Sequence, residues 1–132
     1  MQITAELVEQ MTEHALRDAP NECCGFVAVK DGVATRVLEA VNEAHSPLRF
    51  EISGKALFDL ITEIEDADEE LGAIYHSHTR SAPYPSQTDI NFAAGWPGIE
   101  WIIVGTKGEQ PEVKSYLIDG GEVTDVAVAI VA

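Results

Sequence analysis

The chain predicts an α/β domain with a mixed or antiparallel sheet flanked by helices. Three observations carry that expectation: two segments with apolar residues at helical spacing, several short β-branched or aromatic runs bounded by turn residues, and an order that interleaves the two kinds. The expected order is helix, hairpin, strand, helix, strand, short helix and three strands. At 132 residues the chain is read as one domain spanning residues 1–132, large enough to bury roughly two-thirds of its unfolded surface around a single core.

Taken in order, Thr4 to Asp18 places Leu7, Val8, Met11, Ala15 and Leu16 on one helical stripe, with Thr4 as N-cap and Pro20 as terminator. His14 in this helix is read as a surface or satisfied structural histidine. Glu22 to Lys30 reads as a strand, Asp31-Gly32 as a hairpin turn and Val33 to Val41 as the return. Asn42 to Pro47 is a loop in which His45 is solvated or lines a groove, and Leu48 to Ile52 a short strand. Ser53 caps a second helix whose Leu57, Leu60, Ile61 and Ile64 fall at i, i+3, i+4 and i+7, with an acidic outer face and tail.

The run Leu71 to Tyr75 is a buried strand that ends in His76-Ser77-His78. Pro83 and Pro85 turn the chain before a short helix that Ser86 caps and that closes at Ala94; Gly95-Trp96-Pro97-Gly98 breaks it. Glu100 to Gly105, Glu112 to Ile118 and Val123 to Val131 complete the strands, the last two joined by a Gly120-Gly121 turn. Trp96 and Trp101 are expected to pack rather than to stack on bases, because no basic residues interleave them.

The formal net charge of −15, from 23 acidic and 8 basic side chains, excludes nucleic acid and anionic membrane as expected partners, since both call for a positive surface. A basic partner surface and simple solubility, including at high salt, both remain open. There is no apolar signal region and no run long enough to span a bilayer, so a cytoplasmic location is expected. Cys23 and Cys24 are adjacent, point to opposite faces if in a strand, and are poorly placed to bridge each other.

The chemistry concentrates between His76 and Asp89. Alternate strand residues share a face, so His76 and His78 reach one ion while Ser77 points away. Asp89, returning on the short helix three residues after Ser86, is the candidate third ligand. Two imidazoles and one carboxylate leave the fourth position of a tetrahedral zinc open, which is the arrangement of a catalytic site.

The pattern His-x-His, seven residues, Ser, two residues, Asp resembles the signature of the JAMM (MPN+) zinc metallopeptidases, and Pro20-Asn21-Glu22-Cys23-Cys24-Gly25 is similar to the Pro-x-Glu-x-Cys-Gly context of their upstream glutamate. The likeness of Tyr75 to Thr79 and Tyr84 to Asp89 is closer still to the bacterial subgroup that removes cysteine from the small ubiquitin-like sulfur carrier CysO. The resemblance implies an MPN (JAMM) domain with a cytidine deaminase-like three-layer arrangement and one Zn2+ on His76, His78 and Asp89. It assigns Glu22 as the base that takes the water proton and returns it to the leaving amine, and Ser86 as donor to the oxyanion. A ubiquitin-like sulfur carrier or its conjugates would be the partner. Rival readings are a de-conjugating isopeptidase with a lysine leaving group, a non-catalytic MPN scaffold, and a RadC-like DNA-associated protein, which the acidic charge disfavours. Cys24 is not expected to act as a nucleophile, because no histidine outside the metal motif is evidently there to activate it.

Overall fold

A computed structural model describes residues 1–131. A short strand β1 (Gln2–Thr4) leads into α1 (Ala5–Asp18), where the Thr4 hydroxyl oxygen accepts the Leu7 N–H as the sequence predicts. The hairpin of β2 (Cys24–Lys30) and β3 (Val33–Ala40) closes with Lys30 opposite Val33. Asp31 and Gly32 take φ of 52° and 80°, the two positive values that a tight two-residue turn requires. Ser53 caps α2 (Gly54–Asp66), and β4 (Glu70–His78) follows. Then come α3 (Gln87–Ala93), β5 (Glu100–Gly105), β6 (Glu112–Asp119), β7 (Glu122–Val126) and β8 (Ala129–Val131).

These strands form one 8-stranded sheet in the order β7-β6-β5-β4-β2-β3-β1-β8. It is mixed: β4 and β5 run parallel, as do β1 with β3 and β1 with β8, while the other neighbours are antiparallel. Alternation along each central strand divides the core into two faces. Val27, Ala73, Tyr75, Ile102 and Val104 pack with Met11 and Ala15 of α1. Phe26, Ile74, Trp101 and Ile103 pack with Ile64 of α2 and Ala93 of α3. The result is three layers, helix on sheet on helix, as expected. Trp101 is buried and Trp96 packs at the rim, so both tryptophans serve packing.

Gly25 is where β2 meets the ring of Tyr75. A Cβ there would lie 2.5 Å from the Leu38 carbonyl oxygen and 2.5 Å from Tyr75 Cε1, so no other residue fits without movement.

Four expectations are corrected. Leu48 to Ile52 is not a strand; its backbone is tied instead by the side chain of Asn42, which accepts the Glu51 N–H and donates to the Arg49 carbonyl. Gln2–Thr4 is a strand that no sequence pattern marked. The run Val123 to Val131 is split, so that β7 pairs with β6 at one edge of the sheet and β8 pairs with β1 at the other. Leu16 faces solvent instead of the core. Among the described residues no helix is long and apolar enough to cross a membrane.

Candidate metal centre

β4 lies in the middle of the sheet, between β2 and β5, so its C-terminal residues are shielded on both sides. Ile74, His76 and His78 alternate onto the face that α2 and α3 cover, and both imidazoles are buried, 0% and 4% exposed. Register then brings in Glu22. Cys24 is opposite His76 in the antiparallel β2–β4 ladder, so Glu22, two residues earlier, comes level with His78 on the same face. The two segments stay together past the ladder: the Ser77 N–H donates to the Cys23 carbonyl at 3.2 Å and the Thr79 hydroxyl to the Pro20 carbonyl at 2.8 Å.

Asp89 returns on α3 through a reciprocal cap. The Ser86 Oγ accepts the Asp89 N–H at 3.1 Å, and Asp89 Oδ2 accepts the Ser86 N–H at 2.9 Å. The Ser86 hydroxyl proton is thus free to donate elsewhere. His76 Nε2, His78 Nε2 and Asp89 Oδ2 stand at the corners of a triangle whose edges are each 3.1 Å. Each imidazole nitrogen carries at most one proton, so protons satisfy at most two of the three edges, whereas a cation satisfies all three lone pairs. A tetrahedral ion with bonds of about 2.0–2.1 Å sets its ligands about 3.3 Å apart, close to the observed edges. These residues fit a metal. The Ala82 carbonyl can only accept, so His78 Nδ1 carries a proton, bonded at 2.9 Å, and the neutral ring presents its Nε2 lone pair to the centre.

Burial opposes charge on Asp89, but hydrogen bonds to His76, His78 and the Ser86 N–H outweigh it and hold the carboxyl well below its usual range. Burial lowers His76; at His78 the Asp89 and Ala82 hydrogen bonds overcome burial and raise it. Glu22 is outside the group of His76, His78 and Asp89 that can hold an ion. It is 5% exposed, and burial raises it to about 7, against the attraction of His78 and reinforced by Asp89. A carboxylate so placed exchanges its proton near neutrality.

A family model for prokaryotic homologs of the JAB domain matches residues 4–119. The chain belongs to the JAB/JAMM family, and with it to the hydrolases. It is 36% identical over 132 residues to a CysO-cysteine peptidase of Mycobacterium tuberculosis, covering 98% of this chain and 90% of that one. It is 34% identical over 125 residues to a probable TtuB-protein conjugate cleaving protease of Thermus thermophilus, covering 94% and 78%. A crystal structure of a JAB1/MPN domain protein from Archaeoglobus fulgidus matches with a TM-score of 0.67 at 20% identity over 100% of both chains, which bears on the fold.

Around His76, His78 and Asp89 this JAMM domain supplies two residues that the sequence left unmarked. Phe50 stacks on the His76 ring at 4.7 Å and meets Phe92 edge-on. Asn42, buried, donates to the Glu22 carbonyl at 2.9 Å as well as to Arg49, and accepts the Ala44 and Glu51 N–H groups, so its amide holds the segment that carries Phe50 against the segment that carries Glu22. No local pattern distinguishes Asn42 from any loop asparagine.

His14 is the satisfied structural histidine of the two readings offered. It is buried, with Nδ1 at 2.7 Å from the Tyr75 hydroxyl and Nε2 at 3.2 Å from Asp18, and burial lowers its pKa. Cys23 and Cys24 are free thiols that burial pushes up to about 12, which leaves no thiolate for nucleophilic attack. The exposed His45 lines a cavity together with Glu22.

Proposed function

We propose that the chain is a zinc peptidase that hydrolyses an amide or isopeptide bond at the C-terminus of a ubiquitin-like protein, and that its substrate is a sulfur carrier from which it releases cysteine for cysteine biosynthesis. The observation that carries the peptidase reading is the triangle of His76, His78 and Asp89 with Glu22 beside it, shielded from solvent. His76, His78 and Asp89 would hold one zinc. When bound it supplies Lewis-acid polarisation of the scissile carbonyl and makes a water acidic enough to attack near pH 7.

The chain's own groups do the rest. Glu22 Oε takes a proton from the attacking water and passes it to the departing nitrogen. The Ser86 hydroxyl, its oxygen already occupied as acceptor by the Asp89 N–H, donates to the oxyanion. Loss of such a donor typically costs about 2.7–4 kcal/mol of transition-state stabilisation. The cysteine leaving group is supported by the 36% identity, over nearly the whole chain, to a CysO-cysteine peptidase. A cytoplasmic place of action belongs to the same reading.

The second reading, cleavage of protein–lysine conjugates, is favoured by the likeness to the Thermus protein and would use the same residues. A scaffold without activity is disfavoured by the intact ligand group. Glu22→Gln tests the assignment: the variant should bind one zinc per chain by metal analysis, yet hydrolyse a cysteine-terminated carrier about 10²–10⁴-fold more slowly, because an amide cannot accept the water proton. Full activity in that variant would remove Glu22 from the mechanism.

A further inference from the structure

The two imidazoles of the centre are held in different ways. His78 is fixed by a hydrogen bond, its Nδ1 proton being accepted by the Ala82 carbonyl at 2.9 Å. His76 is not. Its Nε2 faces the centre as that of His78 does, so with a metal held its proton belongs on Nδ1, yet among the described residues Nδ1 has no hydrogen-bond partner and the ring is 0% exposed. Metal-binding histidines almost always donate that second N–H to a carboxylate, a carbonyl or water, and the bond fixes the orientation of the ring. Without it the ring turns easily, because the torsion that leads to it has broad, roughly two-fold wells.

A flat neighbour limits that rotation. Phe50 lies over the His76 ring with centroids 4.7 Å apart and planes 30° apart. Turning the imidazole would drive its edge into the phenyl face, so a stacked plane restrains the torsion as an aliphatic side chain would not. The His78 ring also meets His76, edge-on at 4.9 Å, so the two ligands share one frame and Phe50 is the part of it that binds no ion. Phe50 is itself braced twice. Phe92 meets it edge-on at 5.7 Å and stands in turn edge-on to the buried Trp101 at 5.8 Å, a run of rings from the core to the ligand. Along the backbone, the Asn42 side chain bonds the Arg49 carbonyl and the Glu51 N–H, the residues on either side of Phe50. Leu48, Arg49 and Glu51 are exposed, so this bracing serves the one side chain that reaches His76.

We propose that Phe50 is a positioning residue of the metal centre: its ring face keeps His76 Nε2 directed at the ion, in place of the hydrogen bond that Nδ1 does not make. The inference rests on the zinc reading above and deepens it. Phe50 supplies no ligand and no polar group; it acts through His76. The centre is therefore supported asymmetrically. His78 is fixed by the loop between β4 and α3, and His76 by the loop between β3 and α2, so a disturbance of residues 42–52 reaches the metal through one imidazole and not through the other.

The test needs no substrate. Zinc affinity of the full chain is measured by competition with a chromophoric chelator, and cobalt(II) added to the zinc-free protein reports coordination through its visible absorption, which is strong for a tetrahedral site and weak once a ligand is lost to water. Phe50→Leu and Phe50→Met keep an apolar side chain but remove the plane. Each should weaken zinc binding by about tenfold or more, the scale on which metal-binding histidines respond to loss of their supports, and each should lower the cobalt absorption. Phe50→Tyr keeps the plane and should stay within a few-fold of the wild type. Phe58→Leu, a like change at a ring 70% exposed on α2, is the control and should alter neither readout. Phe50 is half-buried at the rim, so the fold survives its replacement, and urea midpoints separate lost affinity from lost folding. Wild-type affinity in both Phe50→Leu and Phe50→Met, or an equal loss in Phe50→Tyr or Phe58→Leu, overturns the positioning role while the zinc reading stands. A wild-type chain that binds no zinc overturns both.

Discussion

Asn42 shows how much a single side chain can hold. Four hydrogen bonds, at 2.9–3.0 Å, join Glu22 to the loop that ends at Phe50 and leave the amide saturated. Asn42→Ala strands buried backbone groups and should cost about 1–3 kcal/mol of stability, read from a urea midpoint. It should also lower kcat more than zinc content, because Glu22 loses its anchor. Glu22 makes a second prediction for metal-free protein. Its folded pKa of about 7 lies above its ordinary 4.5, so the folded state binds the extra proton and stability from this group is full below pH 4.5 and lost as pH rises through 7. The stability difference between wild type and Glu22→Gln should therefore shift against the wild type over that window, by about 1–2 kcal/mol after discounting for solvent screening; a flat difference would contradict the buried placement. His76, His78, Ser86 and Asp89 were legible because they lie within fourteen positions of one another, at strand and helix spacings. Asn42 and Phe50 were not, because their partners are on other elements.

Among the elements, β2 and β4 decide where the chemistry sits, and Gly25 decides how closely they pair with the Tyr75 ring between the layers. Gly25→Ala should destabilise by about 1–3 kcal/mol through overpacking, lowering the denaturation midpoint. An unchanged midpoint would mean that the Tyr75 ring and the Leu38 backbone carbonyl both give way without cost. Both tight turns were readable, since Asp31-Gly32 and Gly120-Gly121 are residues that accept positive φ. The segment Leu48 to Ile52 has the composition of a strand but finds no ladder: Asn42 takes its backbone groups, and Leu48 is left 72% exposed. Strand composition describes a surface that could be buried, and only a neighbour makes it a strand.

For the whole molecule, a charge of −15 on 132 residues means self-repulsion in the folded state. Arg36, reaching Glu69 at 3.0 Å and Glu63 at 3.5 Å, relieves part of it where β3 meets the end of α2. The thermal midpoint should rise as sodium chloride goes from about 10 mM to about 0.5 M, because the Debye length falls from about 30 Å to a few ångströms. A falling midpoint would mean that ion pairs such as Arg36–Glu69 outweigh the repulsion. The family model over residues 4–119 agrees with the fold that periodicity and element order implied. The sequence by itself determined the helices, the turns and the convergence of His76, His78 and Asp89, because each depends on residues a few positions apart whose geometry a regular backbone dictates. Only the tertiary structure decided that β8 crosses to pair with β1, that Glu22 comes level with His78, and that a charged cavity opens beside it. Those facts depend on which distant strands become neighbours, and that is settled by the packing of the whole sheet.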